Sequence, residues 1–213
     1  MKIVYYEYKE NHEVTDFYVN TILRALTKSG YTVKEIQGDS QNLDKTAYIL
    51  TITELAVLKW YVRGFRLFIH WSQGAGPEES FMKHKSRIRY YALSLLDRFV
   101  FSRSKFLLFV SNYQRKYFET KYSINLSGKS YIMPCYNCEL SKESFYSPGK
   151  YESNTFVYAG NCTTVWQYFD ATLSFYKAIE DKYGNRVSLI VYTKDMEYAR
   201  VKIQEKGIAA SVF

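Results

Sequence analysis

Cysteine is scarce in this sequence, and apolar runs long enough to span a membrane are missing. The 213 residues include three cysteines, and an odd, sparse set of this kind does not make a disulfide framework. Cys135 and Cys138 have CxxC spacing, but no second Cys or His pair follows at the spacing of a zinc finger, so we expect no metal site. The most apolar run, 47–62, contains Glu54 and Lys59 and is too short to cross a bilayer.

A signal peptide, an internal repeat and a low-complexity tract are also missing. The chain opens directly on a strand-like segment, 2–6, without the apolar stretch and cleavage site that a secreted protein carries. We therefore expect a cytoplasmic protein that touches a membrane at most peripherally, from its inner face.

Basic residues outnumber acidic ones. Lys and Arg total 29 against 21 Asp and Glu, which gives a formal charge of +8. Such a balance indicates an anionic partner: a membrane surface, a phosphorylated substrate or nucleic acid. An apolar share of 47% supplies a core and excludes a disordered chain, and the length fits one large domain or two small ones.

Strand-like and helix-like patterns alternate along the chain, which is typical of an α/β protein with parallel sheets. We predict a Rossmann-like domain over 1–150 and the incomplete start of a second such domain over 151–213. The stretch 47–64 is apolar almost all round and predicts one buried helix, and a long helix is predicted from Pro77 to about Phe101. The apolar face predicted for the long helix consists of Phe81, Ile88, Tyr91, Ala92, Leu95 and Phe99. The predicted strands are 2–6, 31–36, 65–70, 105–110, 130–133, 156–159 and 187–192, and a further strand is predicted to begin within 209–213.

The best candidate site lies where the predicted strand 65–69 ends. A polar and aromatic run follows it, then a tight glycine loop, and Pro77 opens the next helix. Ligands of open α/β sheets bind where strand ends meet such loops, although a capped turn with a partly exposed His gives the same pattern. The residues predicted to form the site are His70, Trp71, Ser72, Gly74 and Gly76.

A run of cations occupies the first turns of the predicted long helix. Cations near a helix N-terminus oppose the macrodipole, so stability does not account for their position. We expect Lys83, Lys85, Arg87 and Arg89 to meet an anionic membrane surface, and a solvated charged face is the alternative.

Several segments, taken in order, resemble the retaining GT-B glycosyltransferases of family four. The segment 26–33, in which a helix passes through Gly30 into a strand, is similar to the family's first αβ unit. The segment 68–70 is similar to the family's strand that ends in His. The segments 108–111, 132–134 and 156–160 are similar to the strand that ends in Ser, the last strand of the acceptor domain and the first strand of the donor domain. The likeness covers nearly all of the chain and depends on the order and spacing of these segments.

The resemblance implies that a sugar is transferred from a nucleotide-sugar to an acceptor hydroxyl with retention at the anomeric carbon, without a cofactor or a required metal. It implies that a glycan or lipid-linked acceptor binds the first domain and that the nucleotide-sugar donor binds the second. His70 would then be the catalytic group, at the cleft and with an accessible ring, and Ser111 would join the substrate-binding residues. Gly160 and Asn161 would face the donor phosphates, where backbone amides suit anions.

The sequence departs from the family pattern at three places. The loop 7–13 has no glycine pair, and no cation follows Gly160 before Trp166. The family's two glutamates with Glu-x7-Glu spacing are missing, since Glu197 and Glu205 have the spacing but lie on the wrong predicted helix. We therefore expect these 213 residues alone to be inactive.

A non-catalytic module derived from the same fold, which binds a glycan or a partner subunit, is the alternative function. The missing glutamates favour it, and the His70 loop favours an enzyme. Nucleic acid is not expected as a partner, because no recognised nucleic-acid motif accompanies the basic stretch 83–89.

Overall fold

The computed structural model describes residues 2–7, 13–36, 43–135 and 153–213. The chain divides into unit 1, Met1–Phe81 with Ser86–Asn137, and unit 2, Met82–Lys85 with Cys138–Phe213. Each unit contains a parallel sheet, which confirms the predicted α/β class with a Rossmann-like first unit and a partial second one.

Unit 1 alternates strands and helices, and all pairs of neighbouring strands in its sheet are parallel. The strand order is β2-β1-β3-β4-β5-β6. The elements are β1 (Lys2–Tyr6), α1 (Glu13–Lys28), β2 (Tyr31–Glu35), β3 (Tyr48–Thr51), α2 (Glu54–Val62), β4 (Leu67–Ser72), α3 (Gly76–His84), α4 (Arg87–Arg103), β5 (Phe106–Phe109), α5 (Asn112–Tyr122) and β6 (Ser130–Ile132).

The direction in which strands are added reverses between β1 and β3. From β1 the chain moves outward to β2, and it then returns past β1 to form β3 on the other side. Tyr6 pairs with Leu50 across this boundary, and Thr51 pairs with His70 across the next. Loops that leave the carboxyl ends of β1 and β3 diverge at such a switch point, and a crevice opens between them.

Both faces of the sheet of unit 1 are buried, as expected for a parallel sheet. Successive residues of a strand point to opposite faces. Phe68 packs with α2 and α4 residues such as Trp60 and Phe101, whereas Ile69 packs with Tyr18 of α1. His70 therefore points to the side of the sheet that α2 and α4 cover, and Trp71 points to the side that α1 covers.

The predicted helix over 47–64 is wrong in its first part. Tyr48–Thr51 forms β3, and Thr53 caps α2 by accepting a hydrogen bond from the Ala56 amide at 3.3 Å. A short apolar run is ambiguous between strand and helix, and here pairing with β1 and β4 decides for the strand.

The long helix predicted from Pro77 is also wrong, because it breaks at Lys85. Lys85 has a φ of 54°, and the Ser86 hydroxyl caps α4 by accepting from the Arg89 amide at 3.3 Å. Lys83 and His84 consequently lie in the last turn of α3, where cations are favourable. The argument from the helix dipole applies only to the first turn of α4.

The predicted apolar face of that helix is not buried in the core. Ile88, Tyr91 and Leu95 are 85%, 64% and 68% exposed, and Phe81 and Ala92 are exposed too, whereas Phe99 is half-buried. The buried side of α4 is formed by Asp97, Val100 and Phe101.

Unit 2 contains a three-stranded parallel sheet in the order β7-β8-β9. Phe169, Leu173 and Tyr176 pack with strand residues such as Leu189 and Val191 on one face. Its elements are β7 (Thr155–Ala159), α6 (Phe169–Tyr183), β8 (Ser188–Tyr192), α7 (Met196–Glu205) and β9 (Ala210–Val212). In the described part of the chain, we find no helix with the length and apolar character that a bilayer crossing needs.

Candidate functional site

A crevice of about 250 Å³ opens at the switch point between β1 and β3. It lies between residues that follow or end these strands and the facing sides of α1 and α2. Residues that line it are Tyr6, Glu7, Asp16, Val19, Asn20, Glu35, Leu50, Thr51, Ile52, Thr53, Ala56 and Trp60.

The polar lining of the crevice is acidic and rich in hydrogen-bonding groups. Glu7, Asp16 and Glu35 contribute carboxylates, and Asn20 and two threonines contribute an amide and hydroxyls. Lys and Arg are absent from the lining residues described, although Glu7 pairs with Lys59 at 2.6 Å beside the crevice. Such a lining suits a ligand with many hydroxyl groups and repels a phosphate.

Thr51 connects the crevice to His70. Its Oγ1 lies 3.1 Å from Nδ1 of His70 and 3.4 Å from the Ile69 carbonyl oxygen. His70 is fully buried, so the expectation of an accessible imidazole is wrong. The ring therefore contacts the crevice through the side chain of Thr51, which lines it.

One carboxylate lies near the buried imidazole, and its charge acts on a second carboxylate. Oε1 of Glu54 is 3.7 Å from Nε2 of His70, beyond hydrogen-bond length, so this contact is electrostatic. Burial alone would raise the pKa of Glu54, but its interaction with His70 outweighs burial and holds the pKa below its ordinary value. Burial, aided by the charge of Glu54, raises the pKa of Asp97 to about 7, and the hydroxyl of Tyr122 donates to Oδ2 of Asp97 at 3.0 Å.

Trp71 and Ser72 are buried as well. Trp71 is 3% exposed and packs edge-on against Tyr18, with ring centroids 5.8 Å apart, and Ser72 is 1% exposed. The reason is that β4 continues to Ser72 beside its neighbouring strands, whereas the sequence pattern predicted that it ends at Ile69 or His70.

The predicted glycine loop and Ser111 come together through a residue that the sequence pattern did not single out. Gln114 donates to the Gly74 carbonyl oxygen at 3.2 Å and accepts from the Val110 amide at 3.0 Å. Ser111 caps α5 by accepting from the Gln114 amide at 3.1 Å, and Gly76 is the exposed first residue of α3. Because of these bonds, Gly74 and Ser111 are held at the carboxyl ends of β4 and β5.

In unit 2, the loop that follows β7 binds the carboxylate of Asp195, a residue of the same unit. The amides of Cys162 and Thr163 donate to Oδ2 of Asp195 at 2.8 and 3.2 Å, and the Thr163 hydroxyl donates to it at 3.0 Å. These bonds, led by that from the Thr163 amide, hold the pKa of Asp195 below its ordinary value. Gly160 and Asn161 directly precede this loop, and the Gly160 amide donates to the Tyr192 carbonyl oxygen at 3.0 Å.

We expect Asp195→Ala to speed hydrogen exchange at the amides of Cys162 and Thr163 and to lower the melting temperature of unit 2. The alanine removes the acceptor that both amides share, so they open to water more often. Exchange measured by NMR reports on each amide. Glu197→Ala is the matched control, since Glu197 has an 89% exposed side chain on α7, and equal exchange rates in the two variants would contradict the prediction.

The other acidic and cysteine candidates do not form a site within 2–7, 13–36, 43–135 and 153–213. No group of three His, Cys, Asp or Glu residues there could hold a metal ion. Glu197 and Glu205 lie on α7 and pair with Arg200 and Lys202, each at 2.8 Å. Cys135 is exposed, and its CxxC partner Cys138 lies outside the described residues.

Comparison with known proteins identifies the fold alone. No family model matches the sequence, and no curated protein matches it. The solved structures that are similar include the S. aureus MnaA–UDP co-structure, with a TM-score of 0.56 and 9% identity, covering 100% of this chain and 68% of that one. The chain therefore has a GT-B-like Rossmann fold, of a kind that is also found in a structure that contains UDP.

Proposed function

We propose that the chain is a glycosyltransferase, or part of one, that transfers a sugar from a nucleotide-sugar to an acceptor hydroxyl in the synthesis of a surface glycan. The observation that carries the proposal is the acidic, hydroxyl-lined crevice at the switch point of a GT-B-like unit. Carboxylates and amides in a crevice of this kind accept and donate hydrogen bonds to sugar hydroxyls, and the position is the usual one for ligands of such sheets.

The crevice is assigned to the acceptor rather than to the nucleotide. Asp16 and Glu35 bring negative charge to its wall, whereas the charge of Glu7 is compensated by Lys59, and a diphosphate would meet repulsion there. A neutral glycan gains from the same groups, because a carboxylate accepts hydrogen bonds from hydroxyls more strongly than a neutral oxygen does.

His70 is proposed to position Thr51 rather than to touch the substrate. The imidazole is fully buried, and the contact of its Nδ1 with Thr51 Oγ1 fixes the rotamer of a side chain that lines the crevice. On the other side, Nε2 of the imidazole lies 3.7 Å from Oε1 of Glu54 at the start of α2. We propose that Gly160 and Asn161 contribute to the donor site. The support for this proposal is that the chain is similar in fold to a solved structure that contains UDP.

A non-catalytic glycan-binding module is the second candidate, and one observation favours it. Asp195 already occupies the amides of Cys162 and Thr163 in the loop where a donor phosphate would be expected. A phosphate would have to displace this carboxylate, and within 161–166 no Lys or Arg stands ready to compensate its charge.

Saccharide binding to the full chain tests the acceptor site. We expect blocked hexoses and hexosamines to shift the NMR signals of the Thr53 and Ala56 amides, and Glu35→Gln to weaken that binding. A hydrogen bond to a charged group contributes about 1.5–3 kcal/mol and one to a neutral group about 0.5–1.5 kcal/mol, so the loss of about 1–1.5 kcal/mol corresponds to a rise in Kd of roughly fivefold to tenfold. Glu197→Gln, far along the sequence on an exposed helix face, is the matched control. Saccharides that leave these amides unmoved would contradict the assignment.

Titration with UDP separates the two candidate functions. Shifts at Cys162 and Thr163 that Asp195→Asn makes larger at a given UDP concentration would support a donor site and hence a transferase. Saccharide binding without any response of unit 2 to UDP would support the non-catalytic module.

A further inference from the structure

Helices α2 and α4 each expose a stripe of large apolar side chains. Leu55, Leu58 and Val62 of α2 are 66%, 39% and 79% exposed, and Ile88, Tyr91 and Leu95 form the corresponding stripe on α4. Both sets have i, i+3, i+7 spacing, so each lies along one side of its helix. Since the buried residues of the two helices occupy other positions, these stripes are turned away from the core.

The two stripes belong to neighbouring helices. Tyr61 of α2 and Phe99 of α4 contact each other edge-on, with ring centroids 5.0 Å apart, and the Arg103 guanidinium lies 5.7 Å from the Tyr61 ring. We call the solvent side of this pair the α2–α4 face. Three large exposed apolar residues in a row on each of two packed helices exceed the scattered apolar residues of an ordinary surface.

The charges on the α2–α4 face have one sign. The exposed charged residues of α4 are Arg87, Arg89, Arg98 and Arg103, and Arg63 follows α2 directly. Asp97, the acidic residue of α4, is buried, and Glu54 of α2 is half-buried beside His70. Among the described residues of α2 and α4, the exposed apolar side chains are therefore accompanied by exposed arginines and by no fully exposed carboxylate.

We propose that the α2–α4 face lies on an anionic lipid surface. Apolar side chains that enter the boundary between headgroups and acyl chains, together with cations that meet acidic headgroups, are the two contributions that hold a helix in a membrane interface. Tyr91 at one end of the face suits this boundary, where the amphipathic ring of tyrosine is favoured. A protein partner fits less well, because the partner would need a matching acidic rim around an apolar centre. The proposal does not depend on the reaction proposed above.

Vesicle binding by the full chain tests the proposal. We expect cosedimentation with phosphatidylcholine vesicles that contain about a third phosphatidylglycerol, and much weaker binding to phosphatidylcholine alone. Arg87→Gln with Arg98→Gln should weaken binding at least tenfold at low salt, and less at high salt, where charges are screened. Val62→Gln, Ile88→Gln and Leu95→Gln together should weaken it at every salt concentration. All five side chains are exposed, so melting curves should stay unchanged.

Matched controls use exposed residues elsewhere. Arg24→Gln with Lys116→Gln removes two exposed cations, and Phe175→Gln with Val201→Gln removes two apolar side chains that are 62% and 51% exposed. Neither pair should change vesicle binding by more than about twofold. Equal loss in controls and test variants would overturn the proposal. The proposal would also be overturned if the wild-type chain did not bind the vesicles but formed a dimer, and if the triple variant abolished that dimer. The face would then join two copies of the chain.

Discussion

Replacing His70 with alanine is expected to lower the free energy of unfolding of unit 1 by about 3 kcal/mol. The imidazole is fully buried, its Nδ1 contacts Thr51, and its ring centroid lies 6.4 Å from that of Phe101. Alanine leaves a cavity among these groups and removes the imidazole whose Nε2 lies 3.7 Å from Oε1 of Glu54. Thermal unfolding followed by circular dichroism should show a fall in melting temperature of roughly 10 °C.

His84 provides the matched control for this change. It is exposed in the last turn of α3, so His84→Ala should alter the free energy of unfolding by no more than about 0.5 kcal/mol. A His70→Ala protein as stable as the His84→Ala protein would contradict the buried position of the ring. A loss of activity in His70→Ala must accordingly be compared with its loss of folded protein before it is assigned to the positioning of Thr51.

The fold could be predicted from the sequence because its evidence is local. Strand and helix periodicities, Gly30 and Gly207 after helices, and the apolar strand runs each depend on a few neighbouring residues. The crevice could not be predicted in this way. It depends on the pairing of β1 with β3, which joins residues more than forty positions apart. In addition, β3 could not be distinguished from α2, because one apolar run covers both elements.

The candidate site near His70 shows the same limit. The sequence predicted a strand and a following loop at this place, but the last paired residue of β4 is Ser72, and pairing with β5 through Phe109 extends the strand past His70. Whether a side chain at a strand end is buried depends on how far the neighbouring strands continue. No sequence pattern indicated Glu54, Asp97 or Gln114 as residues of the site. Each is a polar residue within a helix pattern and gains its partner only through tertiary packing.

Replacing Asp97 with asparagine is expected to stabilise the protein above pH 7 by up to about 4 kcal/mol. Burial and the nearby charge of Glu54 raise the pKa of Asp97 from its ordinary value of 3.8 to about 7, so the folded chain holds a proton there that the unfolded chain releases. The asparagine keeps the shape of the side chain and can still accept the hydrogen bond from Tyr122, but it has no charge to bury.

The sign of the pH dependence follows from these two pKa values. Below about pH 4 both states hold the proton, and Asp97 contributes no pH-dependent term. Between pH 4 and 7 the unfolded chain alone loses it, so the free energy of unfolding of the wild type falls by about 1.4 kcal/mol per pH unit from this group. Above pH 7 both states are ionised and the loss is complete.

The difference in free energy of unfolding between Asp97→Asn and wild type should therefore grow from pH 4 to 7 and then stay constant in urea denaturation curves. Asp170→Asn, at an exposed position in the first turn of α6, should show no such growth. Parallel profiles for Asp97→Asn and wild type would mean that Asp97 is ionised in the folded chain at the same pH as in water.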